Sequence, residues 1–187
     1  YDTRRKLYRE YTAADRFVPS DDESIIQAAR SAAGGETNPY LQARSVYLFV
    51  LTQMTYDGKS PGKSILDAFI AARGDSRDYS LLYCAMLRSL GIPARPVAGV
   101  LVYDTRRTRT HHWAEFYLEG YGWIPVDPVL GDAVTFGDAR RLDAPEVYYF
   151  GNVDERHIVY TRGIIDVAPA QNKREAYLDT LAHAFNP

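Results

Sequence analysis

The tripeptide Gly91-Ile92-Pro93 divides this sequence into two textures, and the division limits the folds open to it. Glycine ends a helix readily because it accepts left-handed backbone, and proline cannot rejoin one. Before the break, apolar residues recur at helical spacing between capping signals. Ser20-Asp21-Asp22-Glu23 reads as a capping box, predicting a helix from about Asp21 to Ala33 that stops at Gly34-Gly35. Asn38-Pro39 predicts the next, with Asn38 as cap, Pro39 at the first position and Val46, Phe49, Val50 and Met54 on its apolar stripe. Ser64 with Asp67 caps a short helix carrying Ile65, Leu66, Phe69 and Ile70, broken by Gly74-Asp75. A fourth helix starts at Ser76 or Arg77. Tyr79, Leu82, Tyr83, Met86 and Leu90 give it one buried face.

After the break the runs are short and alternating. Ala94 to Tyr103 reads as a Val-rich strand, Asp104 to Thr110 as a polar loop and His111 to Leu118 as a second strand. Glu119-Gly120-Tyr121-Gly122 turns the chain, and Trp123 to Asp127 pairs back. Further strands are predicted at Val147–Phe150 and Ile158–Val167, with a closing helix from about Asn172 to Phe185. Helices first and strands later predict an α+β fold in which N-terminal helices pack on an antiparallel sheet. The expected organisation is an N-terminal extension at 1–20, a core domain at 21–167 and a C-terminal helix at 168–187 packed on the core.

Charge narrows the function. With 22 Lys and Arg against 24 Asp and Glu, the chain lacks the basic excess of a nucleic-acid binder. No run is long and apolar enough to predict a transmembrane segment. The lone cysteine, Cys84, excludes an internal disulfide, which suits the cytosol and equally a secreted protein that avoids thiols. The first residue is Tyr1, as in a cut or mature form, and an extracytoplasmic place is favoured over a cytoplasmic one.

Three residues could share chemistry. Ser76 falls where a loop meets a helix start, where free N–H groups and the helix dipole favour an anion; a plain serine cap would occupy the same place. His111 opens a strand on one face with Trp113, Glu115 and Tyr117, while His112 points to the other face. His111 and Glu115 are then about 13 Å apart along the strand, so neither pair shares a metal ion, and no metal or cofactor is expected. If the hairpin closes over Glu119 to Tyr121, Trp113 faces Asp127 and His111 becomes its diagonal neighbour on that face, within reach of a hydrogen bond. The alternative for Asp127 is a turn aspartate before proline. Together the three supply a nucleophile, a base and an orienting acid.

Gly74-Asp75-Ser76-Arg77-Asp78-Tyr79, followed by Leu90-Gly91-Ile92-Pro93-Ala94-Arg95, resembles the transglutaminase-like core, whose pattern is Gly-x-Cys-x-x-Tyr and then Leu-Gly-Ile-Pro-Ala-Arg. His111, Trp113, Glu115 and Tyr117 match its His-x-Trp-x-Glu-x-Tyr, and Gly122-Trp123 with Val126-Asp127-Pro128 completes it. Phe150-Gly151-Asn152 with Asp154 is similar to a later motif of bacterial members. The resemblance runs from about Asp21 to Gly163 and implies a papain-like fold with a Cys-His-Asp site at positions 76, 111 and 127. It implies amide chemistry of the peptidase or amidase type on a peptide or protein, cell-wall peptide included, without the acidic calcium loop of cross-linking relatives.

The departure is at the reacting atom: Ser76 stands where the family has cysteine. A thiolate is already a nucleophile, whereas a hydroxyl needs a base during attack. Weak or absent turnover is therefore expected. An engineered serine and a natural peptide- or glycopeptide-binding module rank close together, ahead of an active serine hydrolase. Cys84 falls mid-helix among core positions and reads as a buried structural thiol. Arg106, Arg107 and Arg109 read as a solvated loop tip, or as a rim for acidic substrates. Trp113 reads as packed under the site, with Tyr121, Trp123, Tyr148 and Tyr149 flanking a groove. His157 and His183 show no partner pattern.

Overall fold

The computed structural model describes residues 1–62, 64–104, 107–137 and 142–163. Its helices and strands run, in chain order, α1 (Lys6–Thr12), α2 (Glu23–Ala33), α3 (Pro39–Gln53), β1 (Thr55–Tyr56), α4 (Ile65–Ala71), β2 (Arg73–Gly74) and α5 (Ser76–Ser89). They continue with β3 (Ala94–Asp104), β4 (Arg107–Leu118), β5 (Gly122–Val126), α6 (Pro128–Gly131), α7 (Pro145–Tyr148) and β6 (His157–Arg162). The four long strands form one antiparallel sheet in the order β5-β4-β3-β6, so helices precede and pack on a sheet, as expected of an α+β chain. The closing helix expected near Asn172–Phe185 lies outside the described residues.

Local chemistry sets most helix starts. Asn38 accepts from the N–H groups of Tyr40 and Leu41, and Ser64 with Asp67 forms a reciprocal capping box. The start of α2 differs from expectation. Asp22, not Ser20, is its cap, because the Asp22 carboxylate stands directly before the first turn and accepts from Ser24 and Ile25. Ser20 instead donates its N–H to the Val18 carbonyl in a preceding turn.

The fourth helix departs more. One buried face was expected, yet α5 is enclosed nearly all round: Ser80, Leu82, Tyr83, Cys84 and Met86 have no exposed surface. It runs through the centre of the domain, touching α2, α3 and α4 as well as β3 and β4. A helix covered on every side sheds polar residues or pairs them. Arg88 accordingly donates to the carbonyls of Ala94 and Ala13 and pairs with Asp15. Each fully buried Leu or Met in this helix contributes on the order of 1.5–3 kcal/mol, and α5 is thereby held firmly enough to present its first residue, Ser76, in a fixed place.

Two strand expectations are corrected. The polar loop before His111 is shorter than read, since Arg107 to Thr110 already belong to β4 and pair with β3. Val147–Phe150 is not a strand: Pro145 opens α7, and only Phe150 forms an isolated bridge, to Val126. Pro at the first helical position is preset for helix, which overrides the strand preference of the aromatic run behind it. At the far edge, Gly99 admits β6. A Cβ there would lie 2.0 Å from the Ile158 carbonyl oxygen and 2.9 Å from the Trp113 ring, so a side chain would push away the strand that begins at His157.

Candidate active site

Ser76 is the first residue of α5, one position past its cap Asp75. The Asp75 carboxylate accepts from the N–H groups of Arg77 and Asp78, and Asp78 accepts in return from the N–H of Asp75. Gly74 makes this box possible, because a Cβ there would come within 2.5 Å of the Asp78 carboxylate. The helix start was expected to offer free donors to an anion. Two of them are instead engaged by an acid that stands beside the hydroxyl.

β4 brings both histidines to this point. Ser76 Oγ accepts from the backbone N–H of His112 at 3.2 Å and lies 3.5 Å from His112 Nδ1. The hydroxyl thus rests against the peptide group that joins His111 to His112. Among the described residues no hydrogen bond links Ser76 to the His111 ring. Burial, aided by the neighbouring His111, pushes the His112 pKa down to about 4, so its ring is neutral at pH 7.

His111 and Asp127 meet as the hairpin register requires. Ala114 pairs with Val126, which sets Trp113 against Asp127 and His111 on the diagonal. His111 Nε2 lies 2.7 Å from Asp127 Oδ2, with the imidazole 1% and the carboxylate 0% exposed. His111 Nδ1 is buried without a partner. The other Asp127 oxygen accepts from the N–H groups of Val129 and Leu130, so the residue caps α6 and orients His111 at once. Burial opposes the charge on Asp127, but His111 and His157 outweigh it and hold its pKa well below the usual carboxylate value.

His157, which showed no partner pattern in the sequence, is a third member of the cluster. Its Nε2 lies 2.9 Å from Asp127 Oδ2 and its Nδ1 3.0 Å from Asp154 Oδ1. Burial alone would lower its pKa, yet the two carboxylates raise it to about 9. Asp154 is itself held by Arg156 and the Tyr149 hydroxyl. A usable signal was the short interval from Asp154 to His157 at a strand start. The pairing of β6 with β3 that delivers the ring to Asp127 was not readable from local pattern.

These shifts have a sign. His157 gains a proton affinity on folding, so its stabilisation is full below about 6.5 and is lost as pH rises through about 9. Asp127 has a depressed pKa, so its contribution is present above about 3.8 and is lost as pH falls. The melting temperature is expected to decline between pH 6.5 and 9 in the unmodified chain, and that decline should flatten in His157→Gln. Thermal melts across this range measure it.

His111, Asp127 and His157 place one ligand atom each within 4.8 Å, the only trio with this spacing among the described residues. Both imidazole Nε2 atoms already make direct bonds to one Asp127 oxygen, so the trio is a hydrogen-bonded cluster. The histidine and glutamate weighed as ligands in the sequence do not meet: Glu115 is gripped by Arg95 and Arg162.

The remaining assignments scatter. Trp113 is 1% exposed, stacks on His111 and meets His157 edge-on, and so packs beneath the cluster. Trp123 is covered by Arg95, 3.9 Å above its ring, and by Tyr11 and Tyr117. Tyr121 is 85% exposed and lines a cavity of about 900 Å³ with Tyr1, Tyr8 and Tyr40, which none of Ser76, His111, His112 or Asp127 touches. Arg107 pairs with Asp104, and Arg106 lies outside the described residues. Arg109 donates to the Tyr56 hydroxyl and lies over Phe136, whose ring in turn packs edge-on against His111. A smaller cavity of about 350 Å³, lined by Leu101, Phe136, Tyr149 and Arg156, adjoins this cluster.

A model of the transglutaminase-like superfamily core matches residues 26–128, more than half of the chain. An uncharacterised protein of Haemophilus influenzae is 24% identical over 176 residues, and Bacillus subtilis YebA is 24% identical over 151. The matches cover 77% and 68% of this chain but 47% and 20% of those proteins, so the chain spans half or less of the curated relatives it matches. Among solved structures, a candidate cysteine protease from Cytophaga hutchinsonii superposes with a TM-score of 0.57 at 22% identity, covering 66% of this chain and 42% of that one. The periplasmic domain of TgpA from Pseudomonas aeruginosa gives 0.56 at 19% identity, covering 66% and 47%. At these identities the likeness is one of fold. No helix among the described residues is long and apolar enough to cross a membrane.

Proposed function

Because the chain belongs to the transglutaminase-like superfamily, we propose that residues 21–167 form an acyl-transfer scaffold for peptide or amide bonds in which Ser76 takes the nucleophile's place, His111 is the base and Asp127 its orienting acid. One observation carries this reading: a buried His111–Asp127 bond that leaves the other ring nitrogen, Nδ1, without a partner. Asp127 carries its charge, so Nε2 donates to it and a neutral His111 ring keeps its lone pair on Nδ1. In the step envisaged, Ser76 Oγ bonds to the substrate carbonyl carbon and its proton passes to Nδ1. The amine then leaves with that proton, and water or a second amine releases the acyl group.

Turnover with Ser76 is proposed to be weak. The Asp75 cap occupies donors at the helix start, and the hydroxyl already accepts from the His112 amide. The same two contacts favour the second reading, a module that holds a peptide or glycopeptide at this site without cutting it. An extracytoplasmic setting is proposed by analogy with the periplasmic TgpA domain.

Assay of the unmodified chain and its Ser76→Cys form on peptide amides separates the readings. Turnover confined to the Cys form, and lost with His111→Ala, supports a scaffold quieted by serine. Turnover in the unmodified chain supports a serine hydrolase, and none in either leaves the binding module.

A further inference from the structure

We infer that His157 is a positioning residue of this site: an imidazolium clamped between Asp127 and Asp154 that keeps His111 a neutral base with its lone pair on Nδ1. Geometry carries this. Both ring nitrogens of His157 abut carboxylate oxygens, at 2.9 and 3.0 Å, and a carboxylate can only accept. Each nitrogen therefore carries a proton, and the ring carries a charge. That ring is 1% exposed, under the edge of Trp113, so the charge is poorly screened by water.

The consequence falls on Asp127. Its Oδ2 accepts from two imidazoles and its Oδ1 from two amides, which fills the carboxylate and fixes its plane. A bare carboxylate would favour a second proton on His111. One whose charge is balanced by His157 serves His111 as an acceptor only. The two rings lie 5.9 Å apart, so a proton on both would cost repulsion as well. The other titratable groups facing the pair are Asp154, Arg156 and Tyr149 beside His157, and neutral His112 beside His111. Arg156 is bound to Asp154 and opposes none of this.

On the acyl-transfer reading, which this deepens and on which it rests, the arrangement suits a hydroxyl nucleophile. A thiolate is stabilised by a charged imidazolium beside it, whereas a serine needs a neutral base with a free lone pair. A chain with Ser76 gains from a device that withholds charge from His111.

Two-bond proton–nitrogen spectra of histidine-labelled protein report the protonation state of each ring without any turnover, with His111, His112 and His157 assigned by substitution. The expected result at pH 7 is His157 protonated at both nitrogens and His111 neutral with its proton on Nε2. In His157→Gln the spectra should show His111 carrying a proton on Nδ1 that it lacks in the unmodified chain under the same conditions. Should His157→Gln fail to fold, Asp154→Asn removes one clamp, and His157 should then lose its second proton at a lower pH than in the unmodified chain. A His157 ring with a bare nitrogen at pH 7, a His111 spectrum indifferent to these substitutions, or spectra altered by a chelator would overturn the assignment. An inert Ser76 would leave the expected spectra intact, so failure of the catalytic reading is told apart from failure of this one.

Discussion

In a Ser76→Cys background, His111→Ala is expected to lower peptide-amide turnover by about 10²- to 10⁴-fold, the usual contribution of a positioned acid–base group. The fall should be in kcat more than in KM, because His111 is 1% exposed beneath the site and offers a substrate little surface to bind. His112→Ala is the informative companion. His112 touches the hydroxyl of Ser76, but its pKa is pushed down to about 4, which leaves it a feeble base. Its ring also lacks an orienting acid among the described residues, whereas His111 has Asp127 at 2.7 Å. His112→Ala should therefore cost far less than His111→Ala, and its backbone N–H, which holds residue 76 in place, survives the substitution.

Asp127→Ala is expected to destabilise the fold by about 3–5 kcal/mol, the scale for stripping one partner from a buried charged cluster. Asp127 accepts four hydrogen bonds and has no exposed surface. Without it the amides of Val129 and Leu130 lose their cap, and the His157 imidazolium keeps only Asp154. Asp127→Asn should cost less, since its amide oxygen can still accept from the two amides while the ion pair is lost. Urea denaturation followed by tryptophan fluorescence reads both, because Trp113 packs directly on the cluster. A loss approaching half of a typical domain's 5–15 kcal/mol is large enough to move the midpoint plainly.

What the sequence disclosed was mostly local. Asn38, Ser64 and Gly91 act within one turn of a helix end, so their effects could be read without the rest of the chain. The His111–Asp127 meeting was also legible, because a tight turn at Glu119 to Tyr121 fixes the register of two adjoining strands. Distance in sequence hid the remainder. His157 reaches Asp127 only because β6 pairs with β3 across a crossover, and Gly99 permits that approach. Glu115 and Arg95 belong to recognisable motifs, yet they meet as a salt bridge across β3 and β4, with Arg95 capped by Trp123, so their work is structural. The first helix, α1, has no buried residue and no side-chain cap, which left its seven residues without a periodic signal to read. The burial of α5 on all sides is equally illegible in the sequence, because one apolar face is visible in spacing whereas small and paired polar residues on the other faces are not.

The convergence of positions 76, 111 and 127 is tested most directly by the pH profile of alkylation of the Ser76→Cys thiol, with and without His111→Ala. Cys84 does not interfere, since it is fully buried and burial pushes its pKa up to about 12. Across the neutral range the rate is expected to fall by on the order of tenfold or more when His111 is removed, because a neutral His111 accepts the thiol proton as the sulfur reacts. A rate that His111→Ala leaves unchanged would mean that the imidazole and residue 76 do not act on each other, and the assembled site would have to be abandoned.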